Sequence, residues 1–202
     1  MKRIKYLLIN LITILTVIVC FSCEREGVDT IILPTERYVV PITDIIPQQL
    51  INRVDDLHLG YDPPDITGGY IANPYVLTYS TLSHDSIPFN FGNLIFKFSN
   101  QTYENTISYE SVQGDAEVNS PIAYIQGSGN NFTVYFSENK TSPSTGITVK
   151  THSVITGKVS PSGGIANFKY AYIVADPGNS TIAPNTIRKF KDNDDLAEVY
   201  KW

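Results

Sequence analysis

The sequence predicts an all-β fold: an antiparallel meander of about nine strands that closes into an up-and-down barrel or splits into a β-sandwich, with one short N-terminal helix. Three observations predict it. Apolar side chains recur with period two in short runs along the chain after residue 70, the spacing of strands with one buried face. Polar or glycine-rich turns separate the runs. No helical period lies between them, so neighbouring runs have no crossover and must pair antiparallel.

The strands follow in order. Tyr70 to Leu82 is rich in Tyr, Val, Ile, Leu and Thr, after the turn chemistry of Tyr61 to Gly69. In Leu94 to Ser99, the side chains of Leu94, Phe96 and Phe98 share one face. Thr106 to Val112 places Ile107 and Tyr109 together. Ile122 to Gln126 and Phe132 to Ser137 flank a Gly-Ser-Gly-Asn-Asn hairpin loop, with Phe132, Val134 and Phe136 in phase. Ile147 to Val159 is the longest alternation, and Pro161-Ser162-Gly163-Gly164 turns the chain into a return strand carrying Phe168, Tyr170, Tyr172 and Val174. Thr186 to Phe190 and Leu196 to Trp202 complete the set, with a tight solvated turn expected between them. Ahead of the strands, Pro47 to His58 fits a short helix with Leu50, Ile51, Val54 and Leu57 on one face, ending near Asp55 and Asp56.

The N-terminus has a different character. Lys2, Arg3 and Lys5 precede an apolar run from Leu7 to Phe21, and Ser22 stands before Cys23. Basic start, apolar middle and small residue at the cut are the parts of a secretion signal. A permanent membrane span is the rival reading, but Glu24 and Glu26 follow at once without a basic stop-transfer cluster. The organisation that follows is a leader over 1–22, a tether over 23–46 interrupted by Pro34 and Pro41, and one domain over 47–202. About 20 extended residues reach some 70 Å. The apolar end of the tether, Val39 to Ile46, is expected to pack onto the domain.

Both cysteines lie in or at the end of the leader, which excludes disulfides and thiolate metal sites from the domain. Without Lys2, Arg3 and Lys5 the chain keeps 12 basic against 20 acidic residues, a net charge of −8. That balance argues against nucleic acid, whose phosphates require clustered Lys and Arg. It also argues against docking on an anionic membrane through the domain's own surface.

Motifs for chemistry are few. His84-Asp85-Ser86 holds the residue types of a hydrolase triad, but consecutive residues on an extended chain face opposite ways, and a polar turn before Pro88 explains them. His58, His84 and His152 share no metal-binding spacing. Asp192 to Asp195 with Glu198 resembles the start of a calcium loop, yet Ala197 stands where the loop needs glycine. No cofactor motif, metal set or catalytic residue is assigned. Twelve tyrosines follow the leader. Such side chains can line an amphipathic cavity or stack on sugars, and they are also good strand formers. Tyr70, Tyr75 and Tyr79, near the expected barrel opening, and Tyr170 and Tyr172 on the return strand are the candidate ligand-binding residues.

Three resemblances extend this reading. Val19 to Cys23 resembles the bacterial lipobox, with Phe21 in place of a small residue, which implies that Cys23 carries the acyl (palmitate-type) anchor. Gly68-Gly69-Tyr70, after a short helix, resembles the opening of lipocalins, with Tyr replacing the usual Trp, and implies a lipocalin-like barrel. The whole chain resembles the lipid-anchored exported all-β lipoproteins of Bacteroidetes-type bacteria. In that setting Asp29-Thr30-Ile31 and Asp85-Ser86-Ile87 look like O-glycosylation triplets, implying Thr30 and Ser86 as sites. The expected protein is an outer-membrane lipoprotein, periplasmic or surface-exposed. It is expected to be a non-enzymatic binding module for a small ligand or glycan, or alternatively a structural or adhesive subunit pairing through exposed strand edges.

Overall fold

The computed structural model describes residues 39–202. It is a closed antiparallel barrel of eight staves built from eleven of twelve strand segments. The segments are β1 (Tyr61–Asp62), β2 (Gly68–Ala72), β3 (Tyr75–Ser80), β4 (Phe89–Asn90), β5 (Leu94–Ser99) and β6 (Thr106–Gln113). They continue with β7 (Ala116–Ser128), β8 (Asn131–Ser142), β9 (Ile147–Val159), β10 (Ile165–Asp176), β11 (Ile187–Asp192) and β12 (Leu196–Val199). Two four-residue helices, α1 (Ile42–Ile45) and α2 (Gln48–Ile51), precede them.

Three staves are broken strands. β11 and β12 run on along β10, with Lys191 opposite Lys169 and Leu196 opposite Ala166. β2 and β3 run on along them, with Tyr70 opposite Val199 and Tyr75 opposite Asp192. β4 and β5 keep one register against β3 and β2, with Phe89 opposite Leu77 and Leu94 opposite Ala72. β6, β7, β8, β9 and β10 then follow as neighbours, and β12 pairs with both β2 and β10 to close the ring. This is the lipocalin-like up-and-down barrel, and the sandwich alternative falls away. The tight turn expected between β11 and β12 is instead an interruption within one stave. Asp192 at this break is fully buried, and its Oδ2 accepts the Asn73 N–H at 2.8 Å.

The interior follows from alternation. Phe96, Phe98, Tyr109, Phe132, Phe136 and Phe168 are all buried within it, joined by Tyr70, Tyr75, Tyr170 and Phe190. Their rings pack on one another: Phe96 on Phe168 at 4.9 Å, Tyr75 on Phe190 at 4.6 Å, and Tyr109 against Phe136 at 4.7 Å between centroids. Gly157 makes room for this packing. A Cβ there would lie 2.4 Å from Ile165 Cγ2 and 3.3 Å from Phe132 Cζ. The lower half of the barrel is therefore filled. Ile66 is buried in the same cluster and accepts the Tyr70 hydroxyl on its carbonyl at 3.0 Å.

A second apolar cluster lies outside the barrel. Ile42, Ile46 and Leu50 pack over the outward side chains Tyr135, Val154, Ala171, Ile173 and Ile187. The body of the domain thus begins before Pro47, because the residues expected to end the tether are buried in it. The helix expected over Pro47 to His58 is limited to α2, with Pro47 as its N-cap. Beyond it Asp56 takes a left-handed conformation (φ 61°), and Asp55 and Asp56 pair with Lys189 and Lys169 on the outer wall. Those pairs hold an extended chain against the barrel in place of further helix.

Candidate functional site

The hairpins β6–β7 and β8–β9 and the 177–186 connection meet at the upper end of the barrel, where a recess of about 270 Å³ opens. Its walls are Ile147, Val149, Val174 and Ile182, and Lys140, Thr151, Tyr172 and Arg188 add polar groups. Alternation explains how they arrive there. Glu138 and Lys140 continue the inward phase of Phe132, Val134 and Phe136 along β8, and Arg188 continues that of Phe190 along β11.

Directly beneath the recess lies a buried polar layer. Glu138 is 4% exposed. Its Oε1 accepts hydrogen bonds from Tyr170 Oη at 2.6 Å, Ser153 Oγ at 2.6 Å and Thr151 Oγ1 at 3.0 Å. Among the described residues its Oε2 has no hydrogen-bond partner, and neither does the buried hydroxyl of Tyr109. Each such orphan is costly in a dry interior, by about 1–3 kcal/mol and more for a charge. Burial, together with the nearby Glu138 carboxylate, raises the Tyr109 and Tyr170 phenols well above the usual tyrosine range, so both stay protonated.

Two cations border the layer. Arg188 clasps Asp85 with Nε and Nη2 both at 2.8 Å from its carboxylate oxygens, and reaches Tyr172 Oη at 3.3 Å. Burial acts to raise the Asp85 carboxyl, but the Arg188 and Ser80 hydrogen bonds and the nearby positive charge of Arg188 together outweigh it and hold it below the usual range. Lys140 is different. Its ammonium donates to the neutral Gln113 Oε1 at 3.2 Å and has no salt-bridge partner among the described residues. Burial pulls it below the usual lysine range, with Glu138 opposing.

The expected tyrosines divide. Tyr75, Tyr170 and Tyr172 come together, with Tyr170 centroids 6.3 Å from Tyr75 and 6.0 Å from Tyr172, and of these Tyr172 lines the recess. Tyr70 lies at the opposite, filled end, stacked on Phe96 at 5.4 Å. Tyr79 is turned outward. Strict alternation from Tyr75 and Leu77 would aim it inward, but a bulge at Thr78 sets it opposite outward-facing Lys189. There it packs by the outer cluster, with Arg53 5.5 Å and Lys189 5.9 Å from its ring.

The remaining candidates are scattered. Ser86 is exposed in the loop that Arg188 ties down through Asp85. His152 Nδ1 meets Ser137 Oγ at 2.7 Å on the outside, and no group of acidic, His or Cys side chains suited to a metal occurs among the described residues. Cys23, Thr30 and the 1–22 leader lie outside the described residues. Glu138, Lys140 and Arg188 carry no motif in the sequence, and the signal that finds them is phase: two and four residues on from Phe136, and two before Phe190. The chain matches no protein-family model, no curated protein and no solved structure.

Proposed function

We propose that this protein is a lipid-anchored envelope lipoprotein whose barrel is a non-enzymatic binding module, taking a small ligand into its upper mouth. The observation that carries the reading is an apolar recess set above a buried polar layer, in which a Glu138 oxygen and the Tyr109 phenol have no hydrogen-bond partner among the described residues. A few convergent polar groups in an apolar concavity are the usual makeup of a small-molecule site. At about 270 Å³ the recess lies near the small end of such sites, which favours a compact ligand over a chain of sugars. The adhesive alternative has less support, because closure through β12 pairs strands that an open sheet would expose.

The anchor is proposed on the leader alone: basic start, apolar run, and Ser22 before Cys23. A Cys23→Ser variant is expected to lose lipid labelling and leave the membrane fraction.

Native mass spectrometry of the full chain released from its own membranes tests the binding reading. A small-molecule adduct is expected on the wild type and absent from Ile182→Trp, which fills the recess from a loop. An adduct retained by that variant, or none on either protein, would count against the mouth as the site.

A further inference from the structure

Two groups of opposite charge, Glu138 and Lys140, lie two residues apart on the same face of β8 at the mouth. Lys140 stands in the recess wall with only the neutral Gln113 amide as acceptor. Glu138 lies one layer lower, linked to the wall through Thr151, and its second oxygen has no hydrogen-bond partner among the described residues. Of the other charges at this end, Arg188 and Asp85 satisfy one another, and the exposed Asp115 accepts hydrogen bonds from Ser142 and Ser144. A plain anion would be held by Lys140 and would leave the Glu138 oxygen unpaired. A plain amine would meet Glu138 but leave the Lys140 ammonium without an anionic partner. A head group with both charges on neighbouring atoms satisfies both residues.

Resting on the mouth as the binding site, we infer that the recess accepts a small zwitterion of the α-amino acid class with an apolar side chain. Its carboxylate lies against Lys140 and its ammonium against the second oxygen of Glu138. The apolar side chain packs on Ile147, Val149, Val174 and Ile182, whose surfaces gain by being covered.

Calorimetric titration of the full chain in detergent micelles tests this, with L-leucine and L-phenylalanine as probes. N-acetyl-leucine removes the positive charge, leucinamide removes the negative one, and octanoate serves as a plain amphipathic anion. At least one free amino acid is expected to bind. Blocking either end should weaken binding about tenfold or more, the scale of one charged hydrogen bond. Glu138→Gln and Lys140→Gln should weaken the free amino acid to a similar degree. The blocked ligands test the same contacts on the wild type should either variant fold poorly. Octanoate binding as tightly as the amino acids, and indifferent to Glu138→Gln, would overturn the zwitterion while leaving the mouth reading in place. Binding of none of the probes would overturn the zwitterion, and the adduct experiment would then decide the mouth reading separately.

Discussion

Asp192 accepts the Asn73 N–H on Oδ2 at 2.8 Å, joining positions 119 residues apart in the chain. Its other oxygen accepts the Asp194 N–H at 3.1 Å. One buried carboxylate thus satisfies backbone donors at two adjacent strand breaks, where the β2–β3 and β11–β12 ladders have no partner to offer.

This latch should make stability depend on pH. Burial, with the neighbouring Asp194, pushes the Asp192 carboxyl up to about 6 from an ordinary 3.8. The folded state therefore binds this proton more tightly than the unfolded state. Its contribution is full below about pH 4, falls as pH rises towards 6, and is flat above. Urea midpoints of wild type between pH 4.5 and 6.5 should decline relative to those of Asp192→Asn. Parallel profiles would show that Asp192 does not titrate in that window.

Phe168 is fully buried against Phe96 at the filled end of the barrel. Phe168→Ala should cost about 3–5 kcal/mol. Its neighbour Lys169 points outward to Asp56, so Lys169→Ala should cost less than about 1 kcal/mol. Denaturant melts of the two variants check the difference, and equal shifts would mean that the inward phase of β10 is misassigned.

Arg188 and Asp85 tie the loop after β3 to the barrel mouth through two hydrogen bonds. Asp85→Asn weakens both and should cost about 1.5–3 kcal/mol. Because Asp85 is held below its ordinary range, the stabilisation is present at neutral pH and lost as pH falls below about 4. Hydrogen exchange of residues 81–88 should accelerate in the variant, and unchanged protection would show that the loop is held by other contacts.

Much of this architecture is legible in the sequence because alternation is a local signal. Leu94, Phe96 and Phe98, or Phe132, Val134 and Phe136, announce their inward face without reference to any partner. Features that depend on a partner are hidden. Residues 116–120 of β7 are polar enough to pass for a loop, yet they pair with β6 and the upper part of β8. The last two strands read as a hairpin because Asp192 to Asp195 has turn composition, whereas β10 accepts both segments on one edge. Tyr79 looked inward because the bulge at Thr78 exists only in the register with β11. Glu138 and Lys140 are hidden in the sequence because charged residues in phase with a core strand read as its solvated end.

Tyr172 and Tyr79 offer a paired contrast for ligand binding. Tyr172 lines the recess and Tyr79 faces the outer wall. Tyr172→Phe keeps the ring and removes the hydroxyl that meets Arg188. It should alter affinity for a mouth ligand, whereas Tyr79→Phe should leave it unchanged. Titration of both variants with the probe that binds the wild type checks this, and an equal loss in each would point to the outer wall.

The most direct test of a seat at the upper mouth over a filled interior is amide chemical-shift mapping of the full chain in micelles with leucine and with octanoate. The largest shifts are expected at Lys140, Thr151, Tyr172 and Ile182, with Gly68 to Tyr70 and Tyr79 silent. Shifts centred on Gly68 to Tyr70 or on the Tyr79 wall, with the mouth unchanged, would contradict it.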